Sequence, residues 1–322
     1  VDVEGSRKPT PACATPATDN MIVHTKSQKT LQYQKEVMEF LLINHPLDCP
    51  VCDQGGECEL QDVAMGYGKD VSDFTQGKRA VPKKDIGPLV ETDLTRCIHC
   101  TRCVRFGQEV AGVKELGMIG RGEHSEIAAF LEGHVNSEMS GNIIDLCPVG
   151  ALTSKPFRYQ ARAWEMIQKP LIAPHDCVGS NLWAHVRRNK IMRVVPRENE
   201  NLNETWLSDR DRFSYEAVNS TARLTQPKIK KAGVWTTVSW TEALEAVVKR
   251  FHQMVHAKTS DSTPVGALAS PSCTTEEFYL LQKWMRAIGS PHVDHRLHQE
   301  DDRQLHAYGT HPGLDLSLGA LQ

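Results

Sequence analysis

Residues 30–44 place Leu31, Tyr33, Val37, Phe40, Leu41 and Ile43 at spacings that keep returning to one side of a helix, and Pro46 stops the pattern. Ahead of it, Pro9, Pro11 and Pro16 around Cys13 predict strand and turn over residues 1–26. A polar connector containing Gly and Lys runs over about 66–88. Beyond Lys169-Pro170 the period changes. Two short apolar runs, Leu182 to Val186 and Ile191 to Val195, flank Arg188-Asn189-Lys190 and predict a β-hairpin. From about residue 224 strand and helix patterns alternate. Ser239-Trp240-Thr241-Glu242 predicts a capping box before a helix whose apolar face carries Leu244, Val247, Val248 and Phe251. Val265 to Ala269 reads as a buried strand. Thr274-Thr275-Glu276-Glu277 opens a further helix through Trp284 and Ile288, ended by Gly289.

Length and charge narrow the class. A chain of 322 residues accommodates roughly two to three domains. A net charge of −3 gives no polycation for nucleic acid. The longest apolar runs, such as Phe40 to Ile43, are far too short to cross a bilayer. No signal peptide is visible, and the chain opens at Val1 without an initiator Met, which reads as a processed chain or a fragment.

The cysteines change the picture most. Eight of the ten lie in the first half of the chain, clustered at short spacing, which in a chain of cytosolic character points to metal. The first set is His45-x3-Cys49-x2-Cys52-x5-Cys58. Cys-x-x-Cys lets one turn present two thiolates, Gly55 and Gly56 let the backbone fold back for a third, and His45 before Pro46 can supply a fourth ligand. The second set is Cys97-x2-Cys100-x2-Cys103, with Cys147-Pro148 far downstream. Three thiolates two residues apart wrap three corners of a cubane. Bacterial ferredoxin runs continue with Cys-Pro after three further residues, serving a second cluster; here that position is Gly107, so this run builds one cluster and Cys147 closes it. A three-Cys, one-His zinc site fits the first set by ligand type and stays open as an alternative. A redox dithiol needs one Cys-x-x-Cys and does not describe three thiols in series. His99 reads as a solvated loop residue and Cys273 as a small buried side chain. Arg96, Arg102 and Arg105 interleave with the ligands: either they raise a cluster's potential or they form a surface face.

Further phrases accompany these motifs: Glu-Phe-Leu-Leu-Ile-Asn-His-Pro-Leu-Asp-Cys-Pro over 39–50, Gly-Lys-Arg-Ala-Val over 77–81 and Ser-Gly-Asn-Ile-Ile-Asp-Leu-Cys-Pro-Val-Gly-Ala-Leu-Thr-Ser-Lys-Pro over 140–156. Together they resemble the large iron–sulfur subunit in the peripheral arm of proton-pumping NADH–quinone oxidoreductase, respiratory complex I. The phrases Trp-Leu-Ser-Asp-Arg-Asp-Arg-Phe (206–213) and Gly-Val-Trp-Thr-Thr-Val-Ser-Trp-Thr-Glu-Ala-Leu (233–244) resemble molybdopterin oxidoreductases.

The resemblance implies an α+β and α/β multidomain chain. It divides into the end of a [2Fe–2S] ferredoxin-like domain over 1–26, a [4Fe–4S] domain with one His and three Cys ligands over 27–68, a four-Cys [4Fe–4S] domain over 69–168, and a partial molybdopterin-oxidoreductase-like domain over 169–322. The last has a small β subdomain to 222 and an α/β part from 223. His45, Cys49, Cys52 and Cys58 would hold one cluster; Cys97, Cys100, Cys103 and Cys147 would hold the other. Cys13 resembles the last of four [2Fe–2S] ligands whose other three would precede Val1. Some relatives hold an extra cluster through Cys-x2-Cys-x3-Cys plus a later Cys. Here only Cys177 stands in that region, with Pro174, Asn181 and Ser208 at the other spacings, so neither that cluster nor a molybdenum cofactor is expected, and Cys177 reads as inert.

The implied role is an electron relay with no general acid, base or nucleophile. No Gly-rich dinucleotide fingerprint follows a strand, so NADH and FMN belong to a partner subunit, and further cluster-bearing subunits lead to quinone. The implied location is the cytoplasmic face of a bacterial inner membrane, or the matrix side in a mitochondrion, as a peripheral-arm subunit without a membrane span. The alternative is the electron-input module of an NAD-linked hydrogenase or formate dehydrogenase, many of which carry the Cys that Gly107 replaces.

Overall fold

The structure, a computed structural model, describes residues 1–130, 133–176, 178–256 and 265–296. Cys177 lies outside the described residues, and so does any structural reading of it. The chain divides into two units: Val1–Pro170 with Trp183–Pro196 and Trp206–Phe213, and Leu171–Leu182 with Arg197–Thr205 and Ser214–Gln322.

The first unit opens with a small antiparallel pair, β1 (Asp2–Val3) and β2 (Val23–His24). Helix α1 (Gln28–Leu42) follows. Ser27 caps it by accepting from the Thr30 amide at 3.1 Å, and the buried Thr30 hydroxyl donates to the His24 carbonyl at 2.8 Å. The inward stripe of α1 differs from the one that the apolar pattern predicts. Thr30 and Met38 are buried and Leu41 and Leu42 pack on the core, whereas Phe40 is 71% exposed. The anchoring of Thr30 sets the helix rotation, and its i+8 neighbour Met38 therefore faces inward.

Helix α2 (Glu59–Tyr67) comes next, and no helix or strand intervenes before β3 (Val90–Thr92). Helix α3 (Arg102–Glu109), the antiparallel pair β4 (Leu116–Ile119) and β5 (Glu126–Ala129), helix α4 (Asn142–Leu146) and strand β6 (Leu152–Ser154) complete the lobe. Strand β6 pairs antiparallel with β3, Val90 opposite Ser154 and Thr92 opposite Leu152. One apolar core joins these elements: Met38, Leu60, Val90, Phe106, Ile143 and Val149 belong to it, together with Cys103 and Cys147.

Strands β7 (Ile167–Ile172), β8 (Asn181–Arg187) and β9 (Lys190–Pro196) form a sheet in that order. The β8–β9 turn is a hairpin with Arg188 and Asn189 both at positive φ, 50° and 60°. Helix α5 (Asp209–Phe213) is capped by Ser208, whose hydroxyl accepts from the Asp211 amide at 3.2 Å and donates to its carboxylate at 2.7 Å.

In the second unit α6 (Tyr215–Asn219) precedes the antiparallel pair β10 (Lys228–Lys231) and β11 (Val234–Thr237). Helix α7 (Trp240–His256) has half of the expected box: the Glu242 amide donates to the Ser239 hydroxyl, but the Glu242 side chain pairs with Lys231. Strand β12 (Ala267–Leu268), helix α8 (Thr275–Ala287) and strand β13 (Val293–Asp294) make a β–α–β unit with parallel strands. The reciprocal box at Thr274 and Glu277 is complete, and Gly289 follows at φ 75°. One expectation fails here: the strand at 265–269 is two residues long with Leu268 61% exposed. Helix α7 forms as expected, with Leu244, Val247 and Val248 of its apolar face exposed. Local periodicity sets an apolar face; it does not supply a partner to cover it.

Candidate metal centres

The first site forms where α1 ends. Lys78 donates to the Leu42 and Ile43 carbonyls, both at 3.0 Å, and the Arg79 amide donates to the Asn44 side chain at 3.0 Å. These bonds satisfy the helix C-terminus and hold the segment that carries His45. His45 Nδ1 is buried without a hydrogen-bond partner. Burial, with Arg96 and Lys78 nearby, lowers the His45 pKa and keeps the ring neutral. A neutral imidazole with an orphaned buried nitrogen is competent to ligate.

His45, Cys49 and Cys58 line one cavity of about 590 Å³ together with Leu42, Leu60 and Ala64. The Cys-x-x-Cys turn is built by the Val51 and Cys52 amides donating to the Asp48 carbonyl at 2.9 and 2.8 Å. Gly56 reverses the chain at φ 92°, and a Cβ there would lie 2.6 Å from the Trp164 ring. Arg162 reinforces the loop by donating to the Pro50 and Cys52 carbonyls. Cys58 then caps α2. Burial raises the Cys58 pKa, and the Cys52 and Cys49 thiolates push the same way. Cys52 is buried and turned towards the second site: a Cβ on Gly150 would lie 2.1 Å from its sulfur.

The second site joins distant segments. Cys97, Cys100, Cys103 and Cys147 line one pocket with Ile98, Ile127 and Val149. The β3–β6 pairing places the Cys147 turn against the Cys97 run, and the Asp93 amide donates to the Ala151 carbonyl at 2.8 Å. Burial pushes the Cys103 thiol up to about 12, and Cys147, Cys97 and Cys100 add to the rise. Burial likewise takes Cys147 to about 11. Thiols held that high stay protonated at neutral pH unless cationic iron takes the proton's place. Among the described residues no three His, Cys, Asp or Glu side chains are arranged to hold a single metal ion. Thiols spaced around a pocket suit a multi-iron group, each iron taking one thiolate. A tetrahedral zinc site instead needs every ligand within about 2.3 Å of one centre.

Sequence reasoning missed the supports of Cys147. The buried Asp209 accepts from the Ser140 hydroxyl and the Gly141 amide, both at 2.6 Å. Asn142 and Leu207 exchange two bonds at 2.8 and 3.0 Å, and Arg212 pairs with Asp145. The segment 206–213 thus clasps α4, the helix that delivers Cys147. No local motif signals a clasp whose partners lie 65–70 residues apart.

The remaining sequence candidates separate. Arg105 forms an exposed pair with Glu109, and Arg102 an exposed bidentate pair with Glu59; both are surface groups. Arg96 is 4% exposed. His99 is half-buried, not solvated: Arg79 lies 3.2 Å from its Nε2, and its own amide donates to Cys97 sulfur at 3.4 Å. Cys273 is half-buried and Cys13 exposed.

Two thiol-rich sites of this kind define an iron–sulfur protein. Residues 34–73 match the NADH-ubiquinone oxidoreductase-G iron-sulfur binding region, and 87–153 the ferredoxin-like domain of NADH-quinone oxidoreductase subunit 3. Residues 172–216 match the NADH-ubiquinone oxidoreductase NDSU1/NuoG-like 4Fe-4S domain, a stretch in which Cys177 is the one cysteine, and 223–314 match molybdopterin oxidoreductase. The NADH-ubiquinone oxidoreductase 75 kDa subunit of Reclinomonas americana is 46% identical over 91% of this chain and 42% of its own length. The mitochondrial NADH dehydrogenase [ubiquinone] iron-sulfur protein 1 of Solanum tuberosum is 50% identical over 99% of this chain and 41% of its own. An NADH-quinone oxidoreductase subunit of Rickettsia bellii is 46% identical over 90% of this chain and 41% of its own. The chain belongs to the family of the 75 kDa iron–sulfur subunit of NADH–quinone oxidoreductase. It spans about two-fifths of the length of the curated relatives it matches. A solved NAD+-reducing [NiFe]-hydrogenase is 28% identical, covering 49% of this chain and 69% of its own, with a TM-score of 0.45. No described helix is long and apolar enough to cross a membrane.

Proposed function

We propose that this chain relays electrons within an NADH–quinone oxidoreductase, taking them from NADH-reduced FMN on a partner subunit and passing them towards quinone through clusters on other subunits. His45, Cys49, Cys52 and Cys58 would hold one [4Fe–4S] cluster, and Cys97, Cys100, Cys103 and Cys147 the other. The clusters supply one-electron redox chemistry when bound; the protein spaces them, buries them and sets the charge around them. The observation that carries this reading is the direct contact of the two sites: Cys58 sulfur lies 3.6 Å from the Pro148 carbonyl, next to Cys147. Cys13 would complete a [2Fe–2S] cluster only with ligands upstream of Val1. The family points to a peripheral arm on the cytoplasmic or matrix side of the membrane.

Iron and sulfide analysis of anaerobically purified protein tests it. About eight iron and eight sulfide per chain are expected from two cubanes. Stoichiometric zinc without iron would overturn the assignment.

A further inference from the structure

Arg96 stands beside Cys97 in the chain, yet its side chain reaches the other ligand loop. Its Nε and Nη2 donate to Asp48 Oδ2 at 3.1 and 3.0 Å, and Asp48 precedes Cys49. Nη1 donates to the Gly150 carbonyl at 3.4 Å, on the turn that leaves Cys147. Nη2 also meets Asp93 at 3.2 Å. Gly150 completes the junction, because a Cβ there would lie 2.1 Å from Cys52 sulfur and 3.7 Å from Arg96 Cδ. Burial works against the charge on Arg96, but Cys52, Asp48 and Asp93 outweigh it and raise its pKa. Further cations stand near the junction: Arg158, paired with Glu91 and Asp93, and Arg162, which donates to the Pro50 and Cys52 carbonyls. A permanently charged guanidinium, shielded from water, thus touches the loops of both centres.

We propose that Arg96 is a positioning residue that ties the two ligand loops together, and that its charge raises the reduction potential of both clusters, more strongly for the set containing Cys52. This rests on both sets holding clusters. A reduced cluster carries one more negative charge than an oxidised one, so a buried cation between them stabilises the reduced state of each. The shared cation also means that neither potential is set by its own loop alone.

Redox titration of the full-length, cluster-loaded protein, followed by electron paramagnetic resonance, tests this with three variants. Arg96→Lys keeps the charge and should keep both midpoints near wild type. Arg96→Gln should retain iron and lower both midpoints. A tenfold change in the reduction equilibrium of the His45 set, about 59 mV for one electron, is expected, with a smaller shift for the other. Asp48→Asn removes the opposing charge and should raise the midpoint of the His45 set. It decides the matter should Arg96→Gln fail to hold its clusters. Unchanged midpoints in loaded Arg96→Gln, a shift confined to the Cys97 set, or no shift in Asp48→Asn would overturn the bridge. Absence of both signals from wild-type protein would overturn the cluster reading itself, and the bridge with it.

Discussion

Cys58 sulfur and the Pro148 carbonyl oxygen lie 3.6 Å apart although 90 residues separate them in the chain. The Leu60 amide donates to the same carbonyl at 3.4 Å, so the first turn of α2 is docked on the Cys147-Pro148 turn. The two ligand sets therefore share one wall, and a disturbance at that wall should register in the other set.

Gly150→Ala is the sharpest disturbance. Its Cβ would fall 2.1 Å from Cys52 sulfur and 3.3 Å from Gln54 Cβ, both on the first ligand loop. Overpacking of this kind costs about 1–3 kcal/mol. Iron analysis should show loss of the His45 cluster, roughly half of the total, while the signal of the Cys97 set persists. Full iron with unchanged spectra would show that Cys52 is not held where the structure puts it.

Asp209→Ala should loosen Cys147 from the far side of α4. The change leaves the buried Ser140 hydroxyl and Gly141 amide without their acceptor. Bonds to a charged group are worth about 1.5–3 kcal/mol each, so losing two should cost roughly 3–6 kcal/mol in chemical denaturation. The Cys97-set signal should bleach faster under mild chelation, with the His45 set less affected.

His45→Cys should keep its cluster and lower the midpoint, because an anionic thiolate replaces a neutral ring and disfavours the reduced state. His45→Ala should make the same cluster labile. The competing role, a residue that only ends α1, predicts full iron and an unchanged midpoint in both variants.

His185 gives the protein an acid-sensitive limb. Its Nδ1 accepts from Arg193 Nε at 2.9 Å, and its Nε2 is buried without a partner. Burial first, and then Arg193, take its pKa from 6.5 to about 4, against the weaker pull of Glu57 and Asp145. Between those values the unfolded chain binds a proton that the folded chain refuses, so stability is full above pH 6.5 and falls as the pH drops towards 4. Wild type should lose about 2 kcal/mol more than His185→Asn between pH 7 and pH 5. Parallel pH profiles in urea denaturation would remove His185 as the cause.

The Cys-x-x-Cys turns of both candidate metal sites were legible as spacing, since such a turn is local and its chemistry follows from neighbours two residues apart. Helix α1, the β8–β9 hairpin and the Thr274 capping box were legible for the same reason: their signals act within a few residues. Tertiary structure alone decided the rest. The pairing of β3 with β6 brings Cys147 to Cys103, and Asp209 and Arg212 hold it there. The rotation of α1 buries Met38 and exposes Phe40, although both are apolar. Arg96, Arg102 and Arg105 look alike in sequence, yet only Arg96 finds two carboxylates and a carbonyl in a buried place. Spacing records which side chains one turn can gather, whereas burial and charge pairing depend on segments that meet only when the whole unit closes.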